Sequence, residues 1–122
     1  MSFSRVKRVS DELQKILSEI IVVDDPFDLG TMVTISKVEL SKDFKQAKVY
    51  ISIYDENSAK RDEVINKLRE KAGKIRYELG RKVRLKYIPR LIFYEDETLQ
   101  YVERIENIIK ELKYSDNEDG NE

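Results

Sequence analysis

The apolar residues of this chain change period four times, and the order of those changes restricts its fold more than any single motif. Val6, Val9, Leu13, Ile16, Leu17, Ile20 and Ile21 recur at steps of three and four, which is one face of a helix. Ser4 is the expected N-cap. Asp24-Asp25-Pro26 ends the helix, because proline drives its predecessor out of the helical region, and Asp28-Leu29-Gly30 continues the turn. Met32 to Leu40 is rich in Val, Thr and Ile, with a parity change between Ile35 and Val38 that predicts a bulge. Gln46 to Tyr54 alternates without interruption: Ala47, Val49, Ile51 and Ile53 on one face, Lys48, Tyr50, Ser52 and Tyr54 on the other. The short polar Ser41 to Lys45 makes these two strands an antiparallel hairpin.

Helical spacing returns with Val64, Ile65, Leu68, Ala72, Ile75 and Leu79, and Gly80 is placed as the C-terminal cap. Gly73 lies inside that stretch, where glycine costs about 1 kcal/mol relative to alanine. Either one helix tolerates it or two short helices meet at a bend. Val83, Leu85 and Tyr87 then alternate with Lys82, Arg84 and Lys86, Pro89 interrupts, and Leu91 to Tyr94 reads as a third strand. Asp96 to Thr98 opens a last helix with Leu99, Val102, Ile105, Ile109 and Leu112 expected inward. The order α-β-β-α-α-β-α predicts an α+β fold: a three-stranded mixed sheet with helices on one face. One domain is expected over residues 1–114, with a disordered acidic tail over 115–122, which has no apolar residue.

Charge is segregated along the chain. Lys67 to Arg90 holds ten Lys/Arg against two acids, Glu70 and Glu78, a local charge of +8 in a chain whose net charge is −1. Residues 1–10 carry +3, residues 11–66 carry −5, and residues 91–122 carry −7. A cationic block of that density attracts polyanions and releases their counterions on contact. Lys67, Lys71, Lys74 and Arg81 form a stripe beside the apolar one, and Lys82, Arg84 and Lys86 continue it. A plain solvated helix face is the simpler reading, but such faces usually mix signs, so the stripe favours RNA. Tyr50 and Tyr54 share one strand face, and Tyr87 and Tyr94 flank the third strand. They could stack bases or simply cover the sheet.

Other functions find little support. The chain has no Cys and no His, which removes disulfides, thiolate chemistry, zinc fingers and the usual general base. The acid clusters Asp24-Asp25 and Glu95-Asp96-Glu97 lack the spacing of a calcium loop and suit turns and caps. No catalytic residue, metal, cofactor or small-molecule substrate is expected. No apolar run approaches a membrane span and no signal core is visible, so a cytoplasmic location away from membranes is expected; a monomer is expected as well. The four glycines, Gly30, Gly73, Gly80 and Gly120, never stand three apart, so the GxxG loop by which a KH domain clamps RNA is missing.

Several stretches together resemble the ribosome-binding factor A family. They are Arg5-Val6-Lys7-Arg8-Val9, Asp25-Pro26, Val38-Glu39-Leu40-Ser41-Lys42-Asp43, Ala47-Lys48-Val49-Tyr50-Ile51-Ser52, Gly73-Lys74-Ile75-Arg76, Leu79-Gly80, Arg84 through Phe93, and Asp96. The resemblance covers about residues 4–112 and implies a type II KH-like fold. It is similar to proteins in which an Ala-x-Gly bend between two helices replaces the GxxG loop. Here the motif reads Lys71-Ala72-Gly73, with the bend placed at Ala72 and Gly73. Phe27 stands where the family often has Arg, and Arg90 where it usually has Glu.

The resemblance further implies binding to the free small ribosomal subunit and its rRNA, late maturation and processing of that RNA, and a strongest requirement at low temperature. The RNA-binding candidates are Arg5, Arg8, Lys67, Lys71, Lys74, Arg76, Arg81, Lys82, Arg84, Lys86 and Arg90. Two alternatives stay open: a module whose basic face docks an acidic protein, and a general KH-like RNA binder. A permanent ribosomal protein fits less well, since the isoelectric point near 5.7 is low for constant phosphate neutralisation.

Overall fold

Helix α1 (Phe3–Ser18) lays Val9, Leu13 and Leu17 into the core in a computed structural model that describes the backbone of residues 3–120 and the side chains of residues 4–113. Its end widens into a π-helical turn (Glu19–Val23) that buries Ile20 and Ile21 together. The Asp24 N–H closes that turn on the Glu19 carbonyl at 2.9 Å. Asp25 then takes φ +40°, which an aspartate tolerates because its own carboxylate accepts the Leu29 N–H at 3.3 Å.

Strands β1 (Val33–Leu40) and β2 (Gln46–Ile53) pair antiparallel, with the register broken between Ile35 and Lys37. The extra residue, Ser36, is the bulge the parity change announced. It lets Ile35 and Val38 both face the core, while the Ser36 hydroxyl donates to Asp96 at 2.6 Å. Strand β3 (Arg90–Glu95) pairs with β2 in parallel, giving the order β1-β2-β3. Parallel neighbours need a crossover, supplied here by α2 (Ser58–Glu70) and α3 (Ala72–Lys82). Asn57 caps α2 by accepting the Ala59 N–H at 2.9 Å. Ala47, Val49, Ile51 and Ile53 of β2 are fully buried beneath Leu13, Leu17, Leu68, Ile75 and Leu79, with Phe93 of β3 closing the layer.

Besides Ser4, which lies inside α1 and not before it, three expectations need correction. Gly80 is not a cap: α3 runs past it to Lys82, and Val83 ends the helix in extended conformation. A Cβ on Gly80 would stand 3.3 Å from Ile88 Cγ1, so this glycine allows the following loop to lie close to the helix. The second correction concerns α4 (Thr98–Gly120). Val102, Ile105, Ile109 and Leu112 are not inward but 44%, 40%, 46% and 61% exposed. The apolar side of the sheet is already covered by the earlier helices, so α4 has nothing left to cover. Among the described residues only its start is tied down, by Gln100 donating to the Ile53 carbonyl at 2.9 Å and by the Thr98 N–H donating to Asp96 at 3.0 Å. Helical backbone continues through Gly120, beyond residue 114 where the composition ends the folded domain; residues 121 and 122 lie outside those described. The third correction is the bend between α2 and α3, whose geometry shapes the candidate site.

Candidate nucleic-acid interface

Helices α2 and α3 meet at Lys71, which has φ −94° and ψ 6° and serves as C-cap of one and N-cap of the other. Its N–H donates to the Lys67 carbonyl at 3.0 Å, and its carbonyl accepts from Ile75 at 3.0 Å. The bend therefore turns at Lys71, one residue before Ala72 and two before Gly73. Gly73 does not adopt the left-handed region, and nothing lies within 4 Å of where its Cβ would stand. What it provides is open surface. Three concavities border it: one toward Ile20, Phe27 and Tyr77, one toward Arg76, Arg90 and Phe93, and one toward Gly80, Arg81 and Ile88.

The basic residues around this junction divide into two groups. Some are committed to the fold. Lys67 donates to the Asp28 carbonyl at 3.2 Å, tying α2 to the turn after α1. Arg69 holds the Phe93 carbonyl through Nε at 3.1 Å and Nη2 at 3.0 Å. Arg76 reaches the Ile88 carbonyl at 2.8 Å and the Pro89 carbonyl at 3.3 Å, fixing the irregular 83–89 segment against α3. Lys67 and Arg76, both read from the sequence as RNA contacts, thus carry structural bonds.

The second group is not consumed. Among the described residues, Lys71, Lys74, Arg84 and Arg90 have no carboxylate within ion-pair distance. Lys86 lies 5.5 Å from the Tyr87 ring. Arg81 pairs with Glu78 at 3.4 Å and Lys82 with Asp24 at 3.9 Å, all four side chains well exposed. Such surface pairs are worth about 0–1 kcal/mol and yield readily to a phosphate. Lys74, Tyr77 and Arg81 share the outward side of α3 and Arg76 and Gly80 its side toward the 83–89 segment, with Tyr77 and Arg81 also bordering the groove at Ile88.

Parallel pairing extends the basic surface in a way the sequence hid. The Arg90 N–H donates to the Lys45 carbonyl at 2.8 Å, bringing the exposed Lys45 of the β1–β2 turn beside Arg90. Arg5 reaches the same turn, its guanidinium 5.3 Å from the Phe44 ring, and Arg8 is exposed one turn further along α1. The hairpin was legible, but not which of its ends would meet β3, so Lys45 carried no signal.

The open side of the sheet has the opposite character. Tyr50 and Tyr94, cross-strand partners, stack on each other at 5.5 Å. Beside them Glu39, Glu95, Asp96 and Glu97 line one concavity with a single cation, Lys37. Lys37 is itself bound to Glu39 at 2.9 Å. Hydrogen bonds from Ser36 and Thr98 hold the Asp96 carboxyl below its ordinary value, so it stays ionised. Glu95 is likewise paired, with Arg61 at 3.0 Å, so Asp96 and Glu97 give this concavity its acidic balance, and the two stacked tyrosines cover the sheet beside it.

Fold and surface together define an α+β domain of the type II KH-like class, with a bent helix pair in place of the clamp loop and cations gathered around the bend. The ribosome-binding factor A family matches residues 5–109. The chain is 39% identical over 118 residues to ribosome-binding factor A of Caldanaerobacter subterraneus, covering 95% of each protein. It is 33% identical to that of Clostridium tetani, covering 98% of this chain and 99% of the relative. The crystal structure of ribosome-binding factor A from Thermus thermophilus superposes with TM-score 0.62 at 26% identity, over 74% of this chain and 94% of that one. A Thermus thermophilus homology model fitted into a cryo-EM map of a 30S complex superposes with TM-score 0.60 at 25% identity, over 72% of this chain and 91% of that one. The chain belongs to the ribosome-binding factor A family.

Proposed function

We propose that this protein binds the free small ribosomal subunit and assists late maturation of its rRNA, holding RNA backbone with the cations around the α2–α3 bend. The observation that carries the reading is the division of the basic block. Lys71 at the bend, Lys74 and Arg90 beside the open Gly73, and Arg84 just past the end of α3 have no carboxylate partner among the described residues, in a family whose Thermus member has been placed in a 30S complex. Arg81, Lys82, Lys86, Lys45, Arg5 and Arg8 extend the surface. Phosphate contacts of this kind supply affinity and orientation more than sequence choice. The protein acts by binding, without catalysis or cofactor, as a cytoplasmic monomer.

The charge layout supports a transient association. The basic face holds phosphate, while the acid-lined sheet face and the −7 of residues 91–122 discourage wrapping by RNA. In sucrose-gradient fractions of cell lysate the protein is expected with free small subunits and absent from translating ribosomes. Equal occupancy of polysomes would mark a resident ribosomal protein. No ribosomal co-sedimentation would favour a module for an acidic protein partner.

A further inference from the structure

The concavity between the end of α1 and the outer side of α3 has features that backbone-phosphate contact does not use. It measures about 470 Å³ and is floored by the buried Ile20 and Ile75. Phe27, half-buried, and Tyr77, 68% exposed, supply its aromatic surface. Two carboxylates line the site, Asp24 and Glu78, but each is matched by a cation: Asp24 by Lys82 and Glu78 by Arg81. Lys74 adds an unmatched positive charge. Gly73 leaves the passage between this hollow and the cation-lined grooves unobstructed.

We infer that this hollow takes one unpaired RNA base, stacked against Tyr77 and Phe27, while the adjoining phosphate rests on Lys74. The inference rests on the RNA-binding reading above and deepens it. A base is flat, polarisable and amphipathic, and it arrives attached to the anion that Lys74 attracts. The carboxylates of Asp24 and Glu78 can accept the ring-edge N–H groups that an unpaired base exposes. An apolar side chain from a protein would leave Lys74, which has no carboxylate partner, without a role. The protein would therefore prefer RNA with a nucleotide out of its stack over uniformly paired RNA.

The test compares a single RNA strand that is abasic at every position except one central adenine with the same strand abasic there too, so that no other base can fill the hollow. The wild-type chain should bind the adenine strand at least about five-fold more tightly, the low end of what one stacked base contributes. Tyr77→Ala should abolish the preference and leave the salt dependence unchanged, because no phosphate contact is lost. Tyr77 is exposed, so the variant keeps the wild-type core, and its unfolding curve checks this. Lys74→Ala should weaken both strands equally and reduce the slope of log K against log salt by about 0.7. Equal wild-type affinity for the two strands overturns the inference, as does a Tyr77→Ala chain that keeps the preference. So does a Tyr77→Ala chain that binds both strands normally yet loses small-subunit binding, which would mean a protein side chain fills the hollow. Loss of all salt-dependent RNA binding by the wild-type chain would instead strike the underlying RNA-binding reading.

Discussion

Single residues in this protein hold roles that their chemistry alone does not assign. Arg76 and Arg84 look alike in sequence, yet Arg76 fixes two carbonyls while Arg84 has no carboxylate partner. Arg76→Ala should therefore cost about 1–2 kcal/mol in unfolding free energy, and Arg84→Ala should stay within about 0.5 kcal/mol of wild type, by denaturant titration. Gly73 gives a second contrast. With ordinary backbone angles and empty space around it, Gly73→Ala should stabilise the fold by about 0.5–1 kcal/mol. Gly80→Ala should gain less, since Ile88 stands 3.3 Å from the new methyl group. A strongly destabilising Gly73→Ala would mean that the bend needs glycine itself. Asp96 adds a pH dependence. Hydrogen bonds from Ser36 and Thr98 lower its pKa on folding below the ordinary 3.8. Its contribution is thus complete above that value and is lost as the pH falls through the folded-state pKa. Asp96→Ala should destabilise the neutral protein, and the gap from wild type should narrow in acid below about pH 3.8. A gap that widens in acid would contradict the assignment.

At the scale of elements, the sequence was most legible where one residue pattern had one outcome. The clean alternation of Gln46 to Tyr54 became β2, and the parity slip between Ile35 and Val38 became a bulge at Ser36. The break between α2 and α3 was visible as a glycine, but the chain turns at Lys71, because a bend needs a change of backbone angles and Gly73 makes none of the special kind. Helix α4 was misread for a different reason. Periodicity reveals an apolar face, not whether any surface remains for it to cover, and α1, α2 and α3 had already closed the sheet. In the site, the sequence located the cationic block but could not separate Arg76, bonded to a loop, from Lys74, facing solvent. Lys45 entered only through the pairing of β3 with β2. Because α4 covers so little, a chain truncated after Tyr101 should still unfold in one cooperative transition, with its midpoint within a few degrees of the full-length value. Loss of the transition would show that α4 supports the core.

The molecule as a whole is polarised: a cationic surface around the helix bend, an acid-lined sheet face, and a net charge of only −1. In the proposed function, that layout would serve contact with RNA phosphate on one side and release from it. Such polarity was predictable from the charge blocks, but the separation of surfaces required the fold, since Lys37 and Glu39 of β1, Tyr50 of β2, Glu95 of β3 and Asp96 before α4 come together only there. The most direct measurement is the salt dependence of affinity for isolated small subunits, for wild type and for a Lys74→Glu, Arg84→Glu, Arg90→Glu triple variant. If about five phosphates are held, log K should fall against log salt with a slope near −3.5 for single-stranded contacts. The variant should bind more weakly, with a slope shallower by about 2 and an unchanged unfolding midpoint. An affinity indifferent to salt, or a folded triple variant that binds as the wild type does, would contradict the account.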